Sequence, residues 1–312
     1  MRPPYLTRRR ALGVTLALLA LLGASVVATA GIGPVPASLV RAFGPGGSAT
    51  SDYVIVVQTR LPRVLLAAVV GAALATAGAA FQGLLANPLA DPHVLGISGG
   101  AAVAGATALV LGVDPVSPLV PLVAFGGALA TVAGVVMNAL AASLIMLVNA
   151  VASYRQAQGV LFWIMGALST QSYAMVAIAG GYAVAGAAAL VRHAPALNLL
   201  AAGEESAASL GVEVERVRRA VFVAAALLVG AAVSVSGMIG FVGLIVPHVL
   251  RLLVGPDLRL LLPASFVGGA VFLVWADTLA RTALGPAELP VGVVTALLGG
   301  PFFLFLLRRS LR

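Results

Sequence analysis

The 312-residue chain is 61% hydrophobic and only 9% charged, against about 25% charged residues in soluble domains. Its mean hydropathy is +1.10. A water-soluble fold cannot bury so large an apolar fraction, whereas a bilayer accepts apolar faces directly. Uncharged runs recur along the whole chain, so we expect one membrane domain over residues 1–312 and no separate soluble domain.

The net charge of +8 comes from 18 basic residues, all of them arginine. They form short clusters between the apolar runs, which is the positive-inside pattern of a membrane protein rather than a nucleic-acid-binding surface. The absence of cysteine excludes disulfides and thiolate metal sites.

Unbroken apolar runs, rather than alternating ones, predict transmembrane helices. The first follows Arg8–Arg10 with no clear cleavage site, which favours an uncleaved helix over a signal peptide. Residues 33–59 are polar and rich in Gly and Pro, and together with 154–171 they are predicted to lie outside. In chain order, the clear spans are expected at about 11–31, 61–86, 93–111, 172–192, 217–235, 240–254, 260–280 and 291–307.

The apolar run 118–153 fits either one long helix or two short helices joined by a turn near Val136–Asn138. Parity favours two, because the basic clusters at 216–219 and 308–312 should face the cytoplasm together with the N-terminus. The result is ten helices with both termini cytoplasmic. All but five of the arginines are then cytoplasmic; the outer five are Arg41, Arg60, Arg63, Arg155 and Arg281.

The spans contain little reactive chemistry. A chain without lysine cannot form a Walker A loop, so it is not itself a P-loop ATPase. His93, His193 and His248 are far apart in sequence, which favours loop or helix-end positions over metal ligands. Asp277 is the one carboxylate well inside a predicted span, and Arg281 at i+4 is placed to pair with it. We therefore expect an external energy source rather than a proton relay.

Glycine is abundant in the spans, with 36 residues in the chain. The pairs Gly96/Gly100 and Gly240/Gly243 have the spacing that lets helix backbones approach closely in a membrane. We expect these glycines to serve packing rather than ligand binding.

Residues 203–211 form the most polar stretch between spans, in which small residues alternate with Glu204 and Glu205. The stretch fits one or two short amphipathic helices on the cytoplasmic face. It equally fits a solvated loop that connects two spans, and periodicity does not decide between them.

Four segments, in order, resemble the FecCD family of ABC-importer permeases, which serve ferric siderophores, haem and cobalamin. The first is Arg-Leu-Pro-Arg at 60–63, and the second is Gln-Gly-Leu-Leu-Ala-Asn-Pro-Leu-Ala-Asp-Pro-His at 82–93 with Leu-Gly-Ile-Ser-Gly-Gly at 95–100. The third is Gly-Glu-Glu-Ser-Ala-Ala-Ser-Leu-Gly at 203–211. The last is Ile-Gly-Phe-Val-Gly-Leu-Ile-Val-Pro-His at 239–248, followed by Glu-Leu-Pro-Val-Gly at 288–292.

The resemblance implies an all-α polytopic membrane protein with the type II ABC importer permease architecture, in which short coupling helices lie within about 198–215. It implies a homodimer in the bacterial inner membrane, with two cytoplasmic ABC ATPase subunits and a periplasmic substrate-binding protein as partners. ATP and Mg²⁺ would bind to the ATPases, and this chain would bind no cofactor.

The resemblance also implies roles for individual residues. Those that would dock on the ATPase are Gly203, Glu204, Glu205, Ser206, Ala207, Ala208, Leu210 and Gly211. Arg60, Arg63 and Arg281 would pair with glutamates of the binding protein, although interfacial anchoring is an alternative for the first two. Asn87 and Leu89 match positions near the cytoplasmic gate.

One departure from the family pattern concerns 115–154, which is shorter than usual and lacks the basic connection between the fourth and fifth spans. Pathway-lining residues there are therefore not carried over, Asn138 and Ser143 among them. The alternative function from a different class is a self-sufficient, ion-coupled secondary transporter.

Overall fold

The computed structural model describes residues 7–93, 96–114, 117, 119–130, 135–168, 172–285 and 287–310. In this part of the chain the fold is all-helical, with a single isolated bridge between Leu284 and Ala287. The helices are α1 (Arg8–Gly31), α2 (Leu39–Phe43), α3 (Ser51–Tyr53), α4 (Leu61–Leu84), α5 (Ile97–Val110), α6 (Leu119–Ala130), α7 (Val135–Val151), α8 (Tyr154–Ile164), α9 (Tyr173–Arg192), α10 (Ala194–Leu200), α11 (Glu204–Ser209), α12 (Val214–Ser236), α13 (Val242–Val254), α14 (Leu258–Thr282) and α15 (Val291–Ser310).

Ten of these helices in the described ranges are apolar, and they differ in length. Six have the length and composition to cross a bilayer: the helix Ser51–Leu84, which includes α4, and α1, α9, α12, α14 and α15. The other four, α5, α6, α7 and α13, are apolar but shorter. The predicted all-α membrane fold with about ten spans is confirmed.

The run 118–153 forms two helices, as parity predicted. The position of the predicted turn is wrong, because Val136–Asn138 already belong to the first turn of α7. One Asn in an apolar run, without Gly or Pro, is compatible with a helix. The side chain of Asn138 lies outside the described residues.

The expected boundary at Leu61 is also wrong. Helical backbone runs without interruption from Ser51 to Leu84, through a π-helical stretch at Val54–Arg60. Thr50 starts this helix, since its hydroxyl accepts a hydrogen bond from the Tyr53 amide at 3.2 Å. Arg60 and Arg63 are therefore held on a continuous helix rather than at a loose loop end.

The core forms around α4, which packs against α14, α12, α13 and α9. In the most apolar window of the helix Ser51–Leu84, 83% of the residues are buried, against 6% in α1. The central helices thus face protein, whereas α1 leaves most of its leucines for lipid. A hydrogen bond of 3.0 Å from the Trp275 indole nitrogen to the Ser25 hydroxyl ties α1 to α14.

Backbones touch where α4 crosses α14. A Cβ added at Gly71 would lie 2.2 Å from the Gly269 carbonyl oxygen, and one at Gly269 would lie 2.2 Å from the Gly71 carbonyl oxygen. Gly78 meets Gly243 of α13 in the same way, at 2.0 Å from its carbonyl oxygen. The packing role predicted for Gly243 is confirmed. These contacts replace the hydrophobic drive that lipid removes.

Gly71→Val and Gly269→Val should each destabilise the protein, because the new side chain meets backbone that cannot rotate away. Overpacking of this kind costs about 1–3 kcal/mol. The melting temperature in detergent and the yield of monodisperse protein measure the effect. The matched control is Gly181→Val in α9, where an added Cβ meets no atom within 4 Å. Equal melting temperatures for all three variants would contradict the packing assignment.

Candidate functional site

The polar segment 203–211, predicted to be either a loop or one or two short helices, forms one short helix, α11, and the short helix α10 precedes it. Gly203 (φ +131°) and Gly211 (φ +85°) bracket α11 in backbone conformations that side-chain-bearing residues rarely adopt. Ala194, Leu197 and Leu200 of α10 are buried, whereas only Ala207 is buried in α11. α10 therefore belongs to the core, and α11 lies on it as a surface element.

The residues predicted to dock on an ATPase form the exposed side of α11 and the turn after it. All of them except Ala207 are exposed, and the Leu210 side chain is 67% exposed. The Glu204 carboxylate pairs with Arg218 of α12, which also pairs with Glu215. This side of α11 therefore presents small residues, the exposed Leu210 side chain and the Glu205 carboxylate.

A polar clasp joins α10 to the start of α14. The Asn198 Nδ2 donates to Asp257 Oδ1 at 2.8 Å, and the Leu258 amide donates to Asn198 Oδ1 at 2.9 Å. Arg259 pairs with Asp257 at 2.6 Å. The hydrogen bond from Arg259, opposed by partial burial and helped by Asn198, lowers the pKa of Asp257 to about 2. Because this pKa is depressed, the ionised clasp contributes stability above about pH 4 and loses it as pH falls toward 2. Sequence reasoning missed this clasp.

The segment predicted to form the cytoplasmic gate follows the last turn of α4. Asn87 is exposed, and its side chain accepts from the Leu89 amide at 2.9 Å, while Leu89 is half-buried. Just before it, the buried Gln82 donates to the Gly243 carbonyl at 3.2 Å and accepts from Arg251 at 3.0 Å. Asn87 and Leu89 therefore lie on a short turn that is anchored to α13.

The three arginines predicted to dock a binding protein come together at the opposite end of the bundle. Asp277 is fully buried, and it pairs with Arg281 at 3.0 Å and with Arg63 at 3.0 Å. Arg63 also pairs with Glu288, at 2.6 Å. The predicted pairing of Asp277 with Arg281 is confirmed, and we call these four residues with Arg60 the arginine cluster.

Arg60 and Arg281 bind the carbonyl groups that end α1. Arg60 donates to the Gly31 carbonyl at 3.1 Å, and Arg281 donates to the Ile32 carbonyl at 3.2 Å. These carbonyls lack helical partners and carry the negative end of the helix dipole, so cations satisfy them. Arg60 is 5% exposed and Arg281 is 2% exposed. Both thus have a structural role, whatever they bind in a complex.

A half-open pocket of about 190 Å³ lies over the arginine cluster. The exposed carboxylate of Glu288 and the guanidinium of Arg63 form part of its wall, next to Thr59 and the apolar Val35 and Ile55. All three predicted docking arginines line this pocket. Arg63 is the one with an exposed ion-pair partner, Glu288, which a carboxylate of another protein could replace.

The histidines do not form a metal site among the described residues, where no group of three or more His, Asp or Glu could hold an ion. His193 ends α9, as predicted for a helix end. His248 instead lies inside α13 and packs edge-on against Phe302 of α15.

Two stretches of the chain, residues 14–135 and 130–309, match the model of the FecCD transport family. The chain is 42% identical over 304 residues to a cobalamin import system permease of Halobacterium salinarum. The matched region covers 88% of this chain and 79% of that protein. It is also 42% identical over 275 residues to a hemin transport system permease of Yersinia pestis, covering 80% and 82%.

The fold is similar to a solved structure described as an inward-facing conformation of a metal-chelate type ABC transporter. The TM-score is 0.83 at 29% sequence identity, and the match covers 96% of this chain and 99% of the solved one. The likeness therefore extends over the whole bundle, including both ends where the candidate sites lie.

Asp277→Asn should destabilise the protein strongly, because it leaves the buried guanidinium of Arg281 and that of Arg63 short of a counter-charge. Breaking a buried pair on one side costs about 3–5 kcal/mol. The control is Glu288→Gln, which removes a 43% exposed carboxylate and should cost about 0–1 kcal/mol. Unfolding in detergent, followed by tryptophan fluorescence, measures both. Equal losses would show that Asp277 is not the centre of the cluster.

Proposed function

This chain belongs to the FecCD transport family, and we propose that it is the subunit through which an ATP-driven importer moves a metal chelate from periplasm to cytoplasm. The chelate class is a ferric siderophore, haem or cobalamin. The relatives named for cobalamin and for hemin are equally similar to this chain, at 42% identity, so overall similarity does not choose among these substrates.

The chain is an ABC transporter permease and not itself an enzyme; ATP is hydrolysed on a partner ATPase. The observation that carries the proposed function is the exposed surface of α11 with Leu210. An exposed apolar side chain beside Glu205 and a row of small residues, on a short helix outside the bundle core, supports docking of a protein partner. In the proposed assembly, each of two permease copies presents this surface to one ATPase subunit.

The orientation of the proposed importer follows from which helix ends lie together. Arg10 near the start of α1 donates to the Val254 carbonyl at the end of α13, at 3.0 Å. His248 of α13 contacts Phe302 of α15, and α15 begins shortly after Glu288, which pairs with Arg63 in the arginine cluster at the opposite end. The first residues of α1 and the last residues of α15 thus lie toward the end that carries α10 and α11. By the positive-inside rule this end faces the cytoplasm of a bacterial inner-membrane protein.

A second copy of the chain and a pathway between the copies complete the proposal. α7 and α15 leave large apolar side chains exposed, including Met146 and Leu147 on α7 and Leu304 and Phe305 on α15. These faces suit either lipid or a second copy, and the family resemblance favours a homodimer. ATP binding closes the ATPases, α11 moves with them, and the pathway opens to alternate sides of the membrane.

The alternative function, an ion-coupled secondary transporter, has less support from the residues of the arginine cluster. In the part of the chain that the structure describes, the carboxylate that lies deepest in a long apolar helix is Asp277, and two arginines hold it. A proton relay needs a carboxylate that exchanges protons during the cycle. Here the counter-charges keep the carboxylate paired at one end of the bundle.

Replacing Leu210 and Glu205 together, as L210D/E205K, should abolish binding of the partner ATPase and ATP-dependent uptake. The fold should be unaffected, because both side chains are exposed. Co-purification of the ATPase and uptake into proteoliposomes measure the effect. Glu213→Gln is the control, because this carboxylate is 72% exposed and pairs only weakly, at 3.5 Å, with Arg216. Wild-type ATPase binding and uptake in the double variant would overturn the coupling assignment.

Binding of a periplasmic binding protein tests the predicted docking role of the arginines at the other end of the bundle. Arg63→Gln should weaken binding at low salt and have a smaller effect at high salt, because salt screens the attraction between charges that meet at the protein surface. The control is Arg41→Gln, an outer arginine whose side chain is 71% exposed and pairs with Asp52 at 2.8 Å. The dissociation constant of the complex at two salt concentrations is the measurement. Equal affinities for Arg63→Gln and the unaltered permease would remove Arg63 from the docking surface.

A further inference from the structure

The surface that meets the ATPase in the proposed function is carried by α11, which packs chiefly against α10 and α12. α10 in turn packs against α4 and α14. A displacement of α11 by a partner therefore reaches the membrane helices partly through α10. The polar contacts of α10 with the next helices decide how firmly that displacement is passed on.

Asn198 is the residue of α10 that makes these polar contacts. Its carboxamide is used on both sides: the Nδ2 donates to Asp257 at 2.8 Å, and the Oδ1 accepts from the Leu258 amide at 2.9 Å. A carboxylate only accepts and an amide N–H only donates, so the two partners fix the orientation of the carboxamide. The bridge therefore holds both the N-cap and the first residue of α14.

The next contact leads from α14 to the end of α4. Leu258 is 2% exposed, and a Cβ added at Gly83 would lie 2.6 Å from its Cδ1 atom. Gly83 is in the last turn of α4, and Asn87 and Leu89 follow on the turn after it. Because the leucine fills the space that the glycine leaves, a shift of the α14 start presses directly on the α4 end.

We infer that Asn198 is a positioning residue for transport: it transmits displacement of α10 through Leu258 and Gly83 to the segment of Asn87 and Leu89. This inference rests on the proposed function, since it presupposes an ATPase that moves α11. It adds a residue that the family motifs did not assign, in a helix that lies before the motif at 203–211. The depressed pKa of Asp257 is consistent with a bridge that stays ionised at physiological pH.

The experiment follows the gate segment directly and needs no knowledge of the substrate. The chain has no cysteine, so Leu89→Cys gives the permease a single thiol at the half-buried position. The full complex with its partner ATPase is placed in nanodiscs, and the rate of maleimide labelling is measured with and without ATP. In this background we expect ATP to change the labelling rate.

Asn198→Asp removes the donor to Asp257 and sets two carboxylates against each other. We expect it to reduce the ATP-dependent change in labelling by about fivefold or more, the lower end of typical coupling between sites. ATPase binding and hydrolysis should continue. The exchange variant N198D/D257N restores a donor on one side and an acceptor on the other, so it should recover the change. Retained ATPase binding and hydrolysis in N198D distinguish a loss of transmission from a general structural defect.

Glu213→Gln is the control, because this carboxylate is 72% exposed and pairs with Arg216 rather than with a residue of the bridge, and we expect it to respond as the Leu89→Cys chain does. If N198D fails to fold, N198S supplies the same test without the added charge. A normal change in N198D, a loss of ATPase binding in it, or a folded exchange variant without recovery would each overturn the inference. No ATP-dependent change in the Leu89→Cys chain without a further substitution would instead overturn the proposed function itself.

Discussion

The backbone contact between α4 and α14 sets the geometry of both ends of the bundle. At Gly71 and Gly269 each helix occupies the space where the other would carry a side chain. In a membrane, helices gain little from burying apolar surface, so close approach and dispersion carry the association. The two helices therefore behave as one unit that spans the bundle, with the polar clasp at the start of α14 and the arginine cluster at its end.

The arginine cluster balances its charges without a partner. Three guanidinium groups face two carboxylates, those of Asp277 and Glu288, and the excess positive charge meets the carbonyl end of α1. The helix dipole places partial negative charge there. A binding protein that offers a carboxylate must therefore compete with Glu288 for Arg63 rather than fill an empty site. Arg60 and Arg281 are the fixed part of this cluster, and Arg63 with Glu288 is its exchangeable part.

Much of the fold was predictable because long apolar runs and clustered arginines report directly on the bilayer. The ten apolar helices, the two helices in 118–153 and the pair of Asp277 with Arg281 all follow from hydropathy, parity and i, i+4 spacing. The π-helical approach to Arg60 did not follow, since residues 51–60 contain polar and apolar residues with no helical period. The third member of the buried ion network, Arg63, lies far from Asp277 in sequence, and only the crossing of α4 and α14 brings them together.

The candidate site likewise has one part that the sequence predicted and one part that it did not. The residues predicted to dock on the ATPase stand in one contiguous motif at 203–211, and the sequence predicted them through that motif; in the structure all of them but Ala207 are exposed. The bridge of Asn198 to Asp257 joins two short connections, and neither residue type is unusual there: Asp257 reads as a turn or N-cap residue, and Asn198 as a polar residue in a short helix. A hydrogen bond between separate segments leaves no pattern in either one.

The two ends of the α4–α14 unit differ in how they are fixed. At the arginine end, buried ion pairs and the carbonyls of α1 hold three helices together, and separating them would leave charges unpaired in a poorly solvated place. At the other end, one half-exposed carboxamide bridge and the contact of Leu258 with Gly83 connect the unit to a surface helix. A hydrogen-bonded bridge near the surface rearranges at lower cost than a buried ion pair, because water can replace its partners. A force on α11 should therefore pivot the unit about the arginine cluster, and the largest displacement should fall at Asn87 and Leu89, which follow the last turn of α4.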